Sequence, residues 1–268
     1  MRRKLLSFIL AFCLMIPCAL VFTACDKDEP PKKVDPPTVV YVTEETSLAS
    51  AVQQVAVGGK VILNVDVTLE TQVNINKKMT LDLNGKTINN TVDIWQEYQT
   101  DAQGNYVLDG NDEKIKLPVT EQTWSLISVM DNGELVVIGN GRMETKLNDC
   151  YAFDVRGGGK LTIENGQFMG NISAVYVHAG EAIINDGVYG IQQLSNYNDS
   201  RYLLNCFDEN YNNDTANITV NGGVFLNFNP QNDLSEGENT NFLGEGVSST
   251  PQEMQDSTVY VVASNIVE

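Results

Sequence analysis

Apolar residues in this chain recur in pairs two positions apart, each pair followed by a turn rich in Asn and Gly. Five segments align in this way: TLDLNGKTI at 80–88, ELVVIGNGRM at 134–143, KLTIENGQF at 160–168, EAIINDGVY at 181–189 and NITVNGGVF at 217–225. A spacing of two places both side chains on one face of a β-strand. The inward pairs are Leu81 with Leu83, Leu135 with Val137, Leu161 with Ile163, Ala182 with Ile184, and Ile218 with Val220. The glycines at 85, 141, 166, 187 and 223 are expected to supply turn conformations that other residues avoid.

A second strand precedes each of these: QVNIN at 72–76, SLISV at 125–129, YAFDV at 151–155, AVYVH at 174–178 and YLLNCF at 202–207. The repeat length is 20 residues from Leu63 to Leu83 and 21 from Leu161 to Ala182. Short strands and tight turns at a period near 20 suit a solenoid, in which each repeat buries its apolar face against its neighbours. Before the repeats, Leu48, Ala51, Val52 and Val55 fall at helical spacing. One helix is predicted over Thr46–Gly59, capped by Thr46 or Ser47 and closed by Gly58.

The stretch GGKVILNVDVTLETQVNINKKMTLDLNGKTI at 58–88, continued by the GxLTIxNGxF pattern to about residue 226, resembles the pectate-lyase-like superfamily of right-handed parallel β-helices. The resemblance implies an all-β solenoid of about six coils, with the preceding helix capping its open end. It speaks to fold rather than to activity.

Two stretches depart from the repeat. Residues 92–123 form a polar insertion containing Trp95, Tyr98 and Tyr106, with Trp124 at its exit, and a shorter insertion runs from Asp208 to Thr215. Beyond Pro230 the chain is polar until TVYVVA at 258–263, which is expected to pair as a terminal strand or to cover a face.

At the N-terminus, Arg2, Arg3 and Lys4 precede a nearly all-apolar run from Leu5 to Phe22 and then Thr23-Ala24-Cys25. This order fits a secretory signal over residues 1–24. It resembles the bacterial lipoprotein signal, which implies lipid attachment at Cys25 and an exported protein anchored to the cell membrane or envelope. Cys18 competes for that role but follows Pro17. Residues 25–37, with four prolines and seven charged side chains, read as a flexible tether, leaving 38–268 as the folded domain. Cys150 and Cys206 then remain, about two coils apart, beyond the reach of a disulfide, so two buried free thiols are expected.

The formal charge is −18 over 268 residues, and losing three cationic signal residues brings it to −21. Such a surface argues against nucleic acid as a partner. With His178 as the single histidine, histidine-based metal sites and His-dependent triads are disfavoured.

Strand alternation sets Asn74, Asn76, Ser128, Met130, Asp154, Arg156, Tyr176, His178 and Asn205 on one outward column. Asp154, Arg156, Tyr176 and His178, on adjacent coils, form the first candidate patch for a sugar or for acid–base chemistry, against a plain solvated face with an Asp–Arg pair. Trp95, Tyr98 and Trp124, with Tyr106, form the second, as a stacking platform for sugar rings; the alternative is that they pin the insertion to the body. Val136 and Ile183 are apolar on the outward face of the repeat strands, so cover by the insertion, the tail or a partner protein is expected there. No cofactor is required; Asp109–Glu113 and Asp208-Glu209 carry oxygen ligands of the kind calcium takes, or are solvated turns.

The functional expectation is a non-catalytic envelope module for adhesion or carbohydrate binding, with a glycan or a surface protein as partner. The resemblance also implies an alternative, a lyase or hydrolase acting on acidic glycans. No outward column, however, carries carboxylates in consecutive coils. A purely structural envelope protein is the third possibility.

Overall fold

The computed structural model describes residues 35–193 and 202–265; the signal, Cys25 and the tether up to residue 34 lie outside the described residues. The fold is all-β, built on three sheets that the chain visits in rotation. Lys60–Leu63, Met79–Asp82, Glu134–Ile138, Gly159–Ile163, Gly180–Ile184 and Ala216–Val220 belong to the first sheet, which Val39–Val42 begins. Val67–Leu69, Thr87–Asn90, Arg142–Glu144, Gln167–Gly170, Val188–Ile191 and Gly223–Leu226 make the parallel part of the second. Val73–Ile75, Ser125–Val129, Tyr151–Val155, Val175–Val177 and Leu204–Cys206 make the third.

All these pairings are parallel and join one repeat to the next. Leu161 pairs with Leu135 and with Ala182, and Asp154 pairs with Ser128 and with Tyr176. Inward residues stack on inward residues in continuous apolar columns, although the first repeat is shifted by two against the sequence alignment, Met79 pairing with Leu135 and Leu81 with Val137. Leu81, Leu83, Leu135, Val137, Leu161, Ile163, Ala182, Ile184 and Val220 are all at most 1 % exposed. Burying each such aliphatic side chain contributes about 1.5–3 kcal/mol relative to leaving it in water, alanine less. Behind the second sheet, Phe168, Tyr189 and Phe225 stack with ring centroids 5.4 and 5.0 Å apart. The Tyr189 hydroxyl, the one polar group in that column, donates to the Asp186 carbonyl at 2.8 Å.

The turns from the first sheet to the second use glycine for two reasons. Gly166, Gly187 and Gly223 have φ of +130, +123 and +115°, which side-chain-bearing residues avoid. Gly141 differs from expectation: its φ is not positive, but a Cβ there would sit 2.4 Å from the Leu83 Cβ. It is a close approach rather than a special backbone angle.

The N-terminal helix is shorter than predicted, Leu48–Gln54, because the chain turns extended at Val55. Ser47 caps it by accepting from the Ser50 N–H, while Lys77 donates to the Gln53 and Val55 carbonyls at its other end. Leu48, Ala51 and Val52 face the core. At the opposite end, Thr258–Ser264 adds antiparallel to Gly223–Leu226, the terminal strand expected for TVYVVA. A further antiparallel strand, Val247–Glu253, covers its edge. The shorter insertion contains a helical turn, Asp208–Asn212. Cys150 and Cys206 are free and buried.

Residues 92–123 fold back on themselves in short antiparallel rungs, with bridges Gln96–Thr123, Tyr98–Lys116, Thr100–Tyr106 and Leu108–Lys114. This insertion leaves the second sheet after Thr87–Asn90 and re-enters at Ser125–Val129 in the third. It therefore stands over the third sheet's outer face. Val136 and Ile183, on the first sheet, are partly buried rather than fully enclosed. The insertion instead contacts the third sheet, where its returning end holds Arg156 through the Val119 and Gln122 carbonyls.

Candidate functional site on the third sheet

Alternation places Asp154 and Arg156 on the outer side of the third sheet, yet the pair is not on the surface: they are 0 and 2 % exposed. Arg156 donates from Nη1 to the carbonyls of Val119 (2.6 Å) and Gln122 (2.9 Å), both in the insertion. Asp154 accepts from Arg156 through both oxygens and from the hydroxyls of Ser125 (2.6 Å) and Ser128 (2.9 Å). Gln72 Oε1 accepts from Arg156 Nη2 and from the Trp124 and Ser125 N–H groups. Every strong polar atom of the pair is thus engaged within the protein, as burial of charge demands. The open, ligand-facing Asp–Arg patch and the solvated pair read from the sequence are both corrected. Asp154 and Arg156 are the fastening of the insertion.

The aromatic candidates separate into three roles. Tyr98 meets Tyr106 edge-on at 5.9 Å, and the Lys114 ammonium lies 3.7 Å from the Tyr106 ring centroid, so this pair stiffens the insertion from within. Trp124 is 5 % exposed, with the Arg156 guanidinium 4.2 Å from its ring centroid. Neither Tyr98 nor Trp124 forms a platform. Trp95 remains open to solvent, 36 % exposed, with its ring edge-on to Tyr151 at 5.2 Å.

From Trp95 an aromatic run crosses the third sheet. Tyr151 lies 5.2 Å from Tyr176, Trp124 is within 5.8 Å of both Tyr176 and His178, and His178 stacks on Phe207 at 4.8 Å. Burial pushes both tyrosine hydroxyls well above their usual range, so they stay protonated. Burial, and then the Arg156 charge, hold His178 below its ordinary value. The run is consequently uncharged at neutral pH.

At the Trp95 end lies a pocket of about 300 Å3, lined by Asp93, Trp95, Asn148, Asp149, Tyr151 and Ile172. Its geometry is set by Asp149, 8 % exposed. That carboxylate accepts from the Ile94 N–H (2.9 Å), the Trp95 N–H (3.0 Å) and the Asn90 side-chain amide (2.6 Å). Asn90 in turn accepts from the Lys146 N–H at 2.7 Å, and Lys146 Nζ reaches Asp93 at 2.5 Å. The first residues of the insertion are thereby locked to the turn between Arg142–Glu144 and Tyr151–Val155.

Tyr151, Phe207 and Asp149 were not singled out from the sequence. Strict alternation counts Tyr151 with the inward Phe153 and Val155. Its position at the strand's start lets the ring swing to the outer side.

Asp109 accepts from the N–H groups of Asn111 (2.7 Å) and Glu113 (3.0 Å), which lowers its carboxyl pKa, so the DGNDE loop is organised around its own backbone. Asp208 lies in the first turn of the Asp208–Asn212 helix. Among the described residues no group of three or more His, Cys, Asp or Glu is placed to share a metal ion.

No protein-family model, curated protein or solved structure matches this chain. Among the described residues no helix is long and apolar enough to cross a membrane.

Proposed function

We propose that this protein is a non-catalytic glycan-binding module, exported and held at the cell envelope by a lipid on Cys25, and that its three sheets are the faces of a short right-handed parallel β-helix. The observation that carries the binding reading is Trp95. It is partly exposed, is locked by its own backbone N–H to a buried carboxylate, and stands edge-on to Tyr151 at the mouth of a pocket. An aromatic face with polar groups around it suits a sugar ring, whose C–H face is apolar and whose rim carries hydroxyls. A binding residue held in place in the free protein loses little entropy when the ligand arrives. The rotation of the chain through three sheets with parallel pairing from repeat to repeat supports the β-helix, and the basic–apolar–Cys25 leader supports export and lipidation.

The test is a glycan array and retention on immobilised polysaccharides, with the purified protein compared with Trp95→Ala and Tyr151→Ala. Saturable binding that both substitutions weaken is expected, with an unchanged melting temperature for Trp95→Ala and a lowered one for Tyr151→Ala, whose ring is packed against Trp95 and Tyr176. Absence of binding to any glycan, or product formation from a bound polysaccharide, would refute the reading.

A further inference from the structure

The charges around the Trp95 pocket bear on which sugars it admits. Two carboxylates line it, Asp93 and Asp149, and the nearest cation is Lys146, already 2.5 Å from Asp93. Lys116, near Tyr151's neighbour Glu97, is paired with that carboxylate at 3.9 Å, and the third-sheet cation Arg156 is enclosed. The Arg156 donors are on Asp154, Gln72 and the carbonyls of Val119 and Gln122. A bound carboxylate would therefore meet two like charges and no unspent cation. A cationic sugar is not repelled in this way, since the two carboxylates outnumber Lys146.

What the pocket leaves unspent is neutral. Asn148 and Tyr151 line it, and the Asn148 side-chain amide and the Tyr151 hydroxyl have no hydrogen-bond partner among the described residues. Trp95 and Ile172, 36 and 39 % exposed, add apolar surface. These groups match the hydroxyl rim and the C–H face of an uncharged ring.

We infer that the pocket takes a neutral pyranose unit of a polysaccharide and discriminates against uronic acids, an inference that rests on the glycan-binding reading above. Discrimination here comes from the repulsive element as much as from the attractive one. Asp93 is its main source, since it both adds a negative charge and neutralises Lys146.

Calorimetric titration of the full chain with cellohexaose, mannohexaose, xylohexaose, a chitosan hexamer and hexagalacturonate at low salt tests this. At least one neutral hexasaccharide is expected to bind. Hexagalacturonate should be weaker by about tenfold or more, a penalty the chitosan hexamer should not share. Trp95→Ala should weaken the neutral ligand by about tenfold. Asp93→Asn, which frees Lys146, should narrow the gap between neutral and uronate ligands. Hexagalacturonate bound as tightly as the neutral sugars, or binding indifferent to Trp95→Ala, would overturn the inference while leaving glycan binding intact. If none of the five probes binds and the glycan array is also blank, both the inference and the proposed function fail.

Discussion

Arg156 and Asp154, two residues apart on one strand, meet through a forked contact, Nε to Oδ1 at 2.7 Å and Nη2 to Oδ2 at 3.0 Å, entirely beneath the insertion. Such a pair does not stand out as a gain over apolar packing, but removing one partner strands the other charge away from water. Arg156→Ala should cost on the order of 3–5 kcal/mol and also release the Val119 and Gln122 carbonyls. Amide hydrogen exchange is the informative readout. Faster exchange across 92–123, with the strands of the first sheet still protected, is expected; protection unchanged in the insertion would contradict the fastening role.

Gly166 provides a check on the turn register. Its φ is +130°, and a Cβ would lie 2.6 Å from the Phe168 ring. Gly166→Val should therefore cost roughly 2–4 kcal/mol through backbone strain and overpacking. Reduced soluble yield and a melting temperature lower by about 5–15 °C should follow. An unchanged melting temperature would place the turn elsewhere.

The C-terminal cap should weaken as pH rises. Asp233 and Glu236 lie in the loop after Pro230, and Glu236 accepts from the Cys206 N–H at the edge of the third sheet. Burial raises Asp233 to about 6 and Glu236 to about 7, and Asp208 and Asp233 push Glu236 further in the same direction. The Tyr211 hydroxyl and Cys206 thiol also face Glu236, and both stay uncharged at neutral pH. With folded values above the unfolded ones, the stabilising contribution is complete below about pH 4 and is lost as pH rises through 6 to 7. The loss should amount to roughly 1–3 kcal/mol between pH 5 and pH 8. Asp233→Asn with Glu236→Gln should flatten that part of the stability profile measured by urea unfolding. A double variant with the parent's full pH dependence would show that the titrating groups lie elsewhere.

The repeat strands were legible because period-two alternation and Asn–Gly turns leave a local signature. Leu161 and Ile163 announce a buried face whatever surrounds them. The fate of Asp154 and Arg156 was not legible, since alternation tells which side of a sheet a residue takes but not what lies on top of it. That depended on the insertion, whose isolated bridges have no periodic pattern. Val247–Glu253 was missed for a related reason: Ser, Thr, Gln and Glu at an edge carry no apolar alternation. Within the candidate site, Trp95 was visible as an aromatic residue in a polar insertion. Its partner Tyr151 was hidden by the parity of its strand, and Asp149 by the absence of any rule linking it to residue 95.

The most direct test of the account is collisional quenching of tryptophan fluorescence during titration with a neutral hexasaccharide. The chain has two tryptophans, and Trp124 is nearly inaccessible, so quenching by acrylamide reports Trp95. Bound sugar should shield Trp95 and lower the quenching constant in step with saturation. Saturable binding that leaves the quenching unchanged would show that the sugar sits elsewhere and that the pocket at Trp95 is not the binding site.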